Sequence, residues 1–186
     1  LGNSLEKIAI EKSGIMKRSR PVIIGCFQNR LINLFERISV KKGAILIQLS
    51  DEYKILFKGG DRYNISKNEE LFLEQITFDI KAKYFIKNIP GILEVILQLR
   101  NRGWQISQGQ IMSGLSRITR LTGLKGRFQI LSSYPKVIAD ISHNIEGFTE
   151  LIDQIKLLEP HQLHIIYGAA KGRNIDEIFH QFPKNV

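Results

Sequence analysis

The sequence holds a single cysteine, Cys26, in 186 residues. An internal disulfide is therefore excluded, and the chain suits a reducing, cytoplasmic setting. No uninterrupted apolar run approaches the roughly 18 residues of a membrane span. No secretory leader is expected in these residues, since the first of them carry an acidic, helix-like pattern. Internal repeats and low-complexity stretches are absent, as are the patterns of helix-turn-helix, zinc-finger and RNA-binding modules. Acidic residues number 18 against 27 lysines and arginines, for a formal charge of +9. The cations are spread along the chain, densest at Lys12, Lys17, Arg18 and Arg20 and again at Arg117, Arg120, Lys125 and Arg127. Scattered charge reads as a solvated face, so neither nucleic acid nor a membrane is expected as partner. A small anionic ligand such as a nucleotide fits the same balance. The chain begins with Leu and reads as a piece of something longer.

A helix is expected over residues 3–13, with Asn3 and Glu6 as its capping pair and Gly14 as its stop. Its apolar stripe of Leu5, Ile8 and Ala9 continues to Lys12. A lysine on that face points toward the core, where a bare ammonium is costly. It either snorkels past the helix end, has a partner, or is chemically altered. A strand from Pro21 to Cys26, a helix from about Gln28 to Ser39, and strands at 44–49, 53–57 and 71–80 follow, with Gly59-Gly60-Asp61 as a turn. Helices are expected at 88–101 and at 107–121, the latter capped by Ser107 and Gln110. Thr122-Gly123-Leu124-Lys125-Gly126-Arg127 interrupts the pattern and reads as a flexible connector. Beyond it come strands at 128–131 and 136–140, a helix at 144–158, a strand at 163–167 and a helix at 174–181, a βαβ layout.

Val137-Ile138-Ala139-Asp140-Ile141-Ser142-His143-Asn144 carries the most chemistry. It is a short apolar strand ending in Asp, His and Asn just before a helix with Ile145, Phe148, Leu151, Ile152 and Ile155 at helical spacing. In open α/β sheets, ligands bind at the carboxyl ends of strands. Asp140 could equally cap the helix, as could His143. His161 and His164 have metal-like spacing, but no cysteine or third ligand lies near them in sequence.

Three segments together resemble the folylpolyglutamate synthase/dihydrofolate synthase family of the Mur ligase superfamily. Leu1-Gly2-Asn3-Ser4 through Ile8-Ala9-Ile10-Glu11-Lys12-Ser13-Gly14-Ile15-Met16-Lys17, followed by Pro21-Val22-Ile23-Ile24-Gly25, resembles the family block "LG-T…IA-EKAGI-K…PVV-G". Leu124-Lys125-Gly126-Arg127-Phe128 resembles the interdomain "LPGR" element, and Asp140-Ile141-Ser142-His143-Asn144 resembles "DGAHN".

The resemblance implies an α/β fold: the C-terminal part of a Mur-ligase-type ATPase domain at 1–122, an interdomain linker at 123–127, and an incomplete Rossmann-like C-terminal domain at 128–186. It implies an ATP-dependent ligase of folate biosynthesis, acting as a cytoplasmic monomer. With ATP and Mg²⁺, and allowing a second divalent or a monovalent cation, it would activate the carboxylate of dihydropteroate or a tetrahydrofolate polyglutamate as an acyl phosphate and add L-glutamate. Lys12 matches a lysine carbamylated by CO₂, which would become an oxygen ligand for Mg²⁺. Asn88, Arg127 and Asp140 match nucleotide contacts, with Arg127 on phosphate. His143 falls near the phosphates or the incoming glutamate. The phosphate loop, with its G-x-x-x-x-G-K-[ST] spacing, is missing, so this stretch alone is not expected to ligate. Lys125 stands where "PGR" has proline, and Lys171-Gly172-Arg173-Asn174 where the family often has "DKD".

Overall fold

The computed structural model describes residues 4–25, 30–49, 51–170 and 175–183. The expected cap at Asn3, residue Cys26, the helix start at Gln28 and the stretch Lys171–Asn174 lie outside them. The chain folds as two compact units, one built from Leu1–Ile76 and Lys87–Met112, the other from Thr77–Ile86 and Ser113–Val186.

In the first unit, α1 (Leu5–Lys12) begins at Ser4, whose Oγ accepts from the Lys7 N–H. β1 (Pro21–Ile24), α2 (Ile32–Lys42) and β2 (Ile45–Gln48) make one βαβ step, with β1 and β2 parallel from Pro21–Ile45 to Ile24–Gln48. A three-stranded sheet follows in the order β3 (Tyr53–Gly59), β4 (Arg62–Lys67), β5 (Glu70–Thr77). The β3–β4 turn places Gly60 and Asp61 at φ +59° and +63°, the doubly left-handed geometry that suits tight hairpins. α3 (Ile89–Asn101) packs on β1. Ile65, Leu73, Ile76, Ile89 and Leu93 are the largest fully buried side chains.

β4 is absent from the sequence expectation. Arg62-Tyr63-Asn64-Ile65-Ser66-Lys67 is mostly polar, and Ile65 is its one wholly buried side chain. What makes it a strand is ladder pairing to β3 on one side and β5 on the other.

The expected helix over 107–121 is two, α4 (Gln108–Leu115), which begins in the first unit and ends in the second, and α5 (Ile118–Thr122) of the second. The Ser107–Gln110 capping pair is present, each backbone N–H donating to the other's side chain. The break comes from Asp79, whose carboxylate accepts from the Ile118 and Thr119 N–H groups and the Thr119 hydroxyl, starting a new helix there. β6 (Gln129–Ser133) and β7 (Lys136–Ala139) form an antiparallel hairpin. α6 (Ile145–Lys156) and α7 (Asp176–Phe179) complete the unit. Phe148, Ile152 and Ile178 are its core, with Leu151, Ile155, Ile165, Tyr167 and Phe182 packed around them. The βαβ layout expected here is not formed. Residues 163–167 keep a strand's alternation, with Ile165 and Tyr167 turned to the core and Ile166 fully exposed. They join no ladder among the described residues.

Candidate functional site

Asp140 follows the last residue of β7, and its carboxylate is the most heavily engaged side chain of the second unit. Oδ1 accepts from the Ser142 N–H at 2.8 Å and the Ser142 hydroxyl at 2.5 Å. Oδ2 accepts from the Tyr84 hydroxyl at 2.8 Å and the Phe128 N–H at 2.7 Å. Asp140 does not cap α6. Asn144 does, accepting from the Gly147 N–H at 2.9 Å.

The glycine-bearing connector is tied down at its end. Gly126 sits at φ +69° and Phe128 at φ +49°. The Gly126 carbonyl accepts from the Ile141 N–H, and its own N–H donates to Gln129 Oε1. Phe128 is buried at 4% exposure. Arg127 is held between these two left-handed residues, half-buried, with its guanidinium against the Tyr84 phenol. Burial, then the hydrogen bond to Asp140 and its charge, push that phenol up to about 12 against the opposing pull of Arg127. Flexibility expected from two glycines is thus replaced at Gly126 by a turn that aims one cation.

His143 is exposed, with Nδ1 3.0 Å from the Ile141 carbonyl. That contact assigns the proton to Nδ1 and leaves Nε2 as the basic nitrogen. A capping role for His143 is excluded, because Asn144 fills it.

In the first unit, Lys12 is the last residue of α1 and is exposed. The expectation that it points into the core is corrected: Ala9 is the buried residue of α1, and one turn later the side chain has run out past the helix end. A cation there complements the helix dipole, as does Lys42, whose Nζ donates to the Ser13 carbonyl at 2.8 Å. Asn88 precedes α3, makes no side-chain capping bond, and lines an apolar cleft of about 410 Å³ with Ile23, Gly25, Gly91, Ile92 and Val95. There Gly25, just past β1, faces Gly91 of α3, and a Cβ on Gly25 would lie 3.5 Å from the Gly91 Cα, in ordinary van der Waals contact.

Sequence reasoning missed Tyr84 and Ser142. Ser142 stands inside the motif and could have been found as an Asx-turn partner. Tyr84 gives no local signal, since Asp140 is 56 residues away. Among the described residues no three His, Cys, Asp or Glu side chains gather as a metal site.

No family model matches the chain. It is 26% identical over 164 residues to the dihydrofolate synthase/folylpolyglutamate synthase of Escherichia coli K12, covering 85% of this chain and 34% of that protein. The Bacillus subtilis 168 protein of the same description is 25% identical over 179 residues, 93% of this chain and 40% of its own. The solved folylpolyglutamate synthase of Thermotoga maritima aligns with 99% of this chain and 43% of its own at TM-score 0.74 and 24% identity. E. coli FolC in complex with DHPP and ADP aligns with 85% of this chain and 35% of its own at TM-score 0.63 and 27% identity. The resemblance drawn from the three motifs therefore extends over most of the chain, and the mixed α/β fold is shared. The chain spans roughly a third to two fifths of the length of these curated relatives.

Proposed function

We propose that this chain is part of an ATP-dependent ligase that joins L-glutamate to a folate-type carboxylate, either dihydropteroate or a tetrahydrofolate polyglutamate. The observation that carries the reading is the fixed presentation of Arg127 beside the Asp140 carboxylate, at the end of a strand and just before a helix, in a chain similar to such synthases over most of its length. In the reaction the acceptor carboxylate takes the terminal phosphoryl group of ATP, giving an acyl phosphate and ADP. The amine of glutamate then attacks the carbonyl carbon, loses a proton and expels phosphate.

Arg127 is assigned to the nucleotide phosphates, where an always-charged, planar guanidinium suits bidentate recognition. Asn88 is assigned to the nucleotide as well, its carboxamide not spent on capping α3. Asp140 belongs to the same nucleotide-binding machinery. His143, exposed and basic at Nε2, is assigned to proton handling near the incoming glutamate. Residues 1–122 are read as the ATPase portion, 123–127 as the linker and 128–186 as the glutamate-ligase portion; the second compact unit contains all of this last stretch.

The reaction calls for Mg²⁺. An ammonium at Lys12 offers a cation no donor, and the described residues gather no acidic cluster for one. The carbamate at Lys12 rests on the family resemblance, and it would supply one hard oxygen ligand. The protein is further proposed to act as a monomer in the cytoplasm.

The test is ADP release by the ligase that includes this chain, with dihydropteroate and tetrahydrofolate as alternative acceptors. Release that requires both glutamate and a folate acceptor, and falls at least about 100-fold in Arg127→Ala, is the expected result. Turnover indifferent to either folate would move the assignment to a Mur-type ligase with another acceptor.

A further inference from the structure

A carboxylate offers about four lone-pair sites, and Asp140 spends one on each of four donors: the Ser142 amide, the Ser142 hydroxyl, the Tyr84 hydroxyl and the Phe128 amide. What the carboxylate holds is the chain itself. One donor is the backbone N–H adjoining Arg127, and another is the phenol against which the Arg127 guanidinium rests. The left-handed conformation of Phe128 is unfavourable in a non-glycine residue, and the hydrogen bond from its N–H to Asp140 holds it there. The raised phenol stays protonated through the ordinary pH range, so it donates to Asp140 while its oxygen accepts from Arg127.

We infer that Tyr84 and Asp140 are positioning residues that form a clasp around Arg127, fixing its guanidinium in advance for an anionic phosphate ligand. The inference rests on the nucleotide reading above for the identity of that ligand, but not for the clasp. A preset arginine gives up less side-chain freedom when phosphate arrives, so less of the binding energy is spent on ordering it. Asp140→Asn is not a mild change under this arrangement. The amide turns two of the four acceptor sites into donors that face donors.

The experiment uses the ligase that includes this chain and its Tyr84→Phe variant, which keeps the ring and removes only the hydroxyl. Side-chain ¹⁵N relaxation of the Arg127 Nε–H is measured in both. An ordered Nε–H in the wild type that becomes mobile in Tyr84→Phe is the expected outcome; equal mobility in the two overturns the clasp. Titration with ADP in a cycle of Tyr84→Phe and Arg127→Ala then reads its use. Tyr84→Phe should weaken ADP binding about five- to tenfold when Arg127 is present, the scale of one hydrogen bond to a charged group, and less than about twofold when it is absent. An equal loss in both backgrounds would mean that Tyr84 touches the nucleotide itself, which overturns its positioning role. A wild-type ligase that holds Arg127 ordered yet binds ADP no more tightly than Arg127→Ala supports the clasp and refutes the phosphate role of Arg127 instead.

Discussion

At Gly126 an added methyl group would lie 2.5 Å from the Ile141 Cγ2, at a φ of +69°. Both penalties fall on the segment that presents Arg127. Gly126→Ala is expected to lower stability by about 1–2 kcal/mol, the usual cost of a left-handed L-residue, and urea unfolding of the two chains would show it. The same change should weaken ADP binding more than it weakens the fold, because a turn that shifts carries Arg127 with it. Arg127 and Asp140 were legible in the sequence because each lies in a short motif with its own chemistry. Lys12 was legible only as an oddity, and its expected burial did not survive, since helical spacing gives a face but not where the helix ends. Tyr84 was invisible because a tertiary partner makes it matter.

Among the elements, α1, α3, α6 and the β1–α2–β2 step could be read from periodicity, whereas the break between α4 and α5, and β4, could not. Its polar residues sit between two hairpin turns, and pairing rather than burial makes it a strand. What ties that sheet to α3 is also polar. Glu94, 5% exposed, accepts from Lys67 Nζ at 2.7 Å, from the Tyr53 hydroxyl at 3.1 Å and from Gln98 at 2.9 Å. Burial pushes its carboxyl up, but these hydrogen bonds and the Lys67 charge outweigh burial and hold it below the usual 4.5. A carboxylate whose folded pKa is depressed contributes stability that is complete above its unfolded value and lost as pH falls through the folded one. Stability to urea should therefore decline as the pH drops below about 4.5, and less steeply in Glu94→Gln. Parallel declines in the two proteins would show that the acid sensitivity arises elsewhere.

For the molecule as a whole, the sequence suggested a single break in the connector, but each compact unit draws on two separate stretches. Residues 77–86 belong with 113–186. Phe78, Ile80, Ala82 and Phe85 in that short stretch are all buried. Gln154 fastens it, accepting from the Lys83 N–H at 2.8 Å and donating to the Lys81 carbonyl at 2.7 Å. A chain ending at Thr122 is expected to expose these apolar residues, bind a hydrophobic dye and aggregate, even though it keeps all of the first unit. A monomeric, dye-negative protein of that length would contradict this. The same interleaving imposes a schedule on synthesis. Lys83 leaves the ribosome 71 residues ahead of the Gln154 that will fasten it, an interval of about 4–14 seconds at ordinary elongation rates. The first unit is complete once Met112 has been made, yet the greasy ten-residue stretch still waits without its eventual neighbours, so the growing chain is most open to chaperones and proteases in that interval.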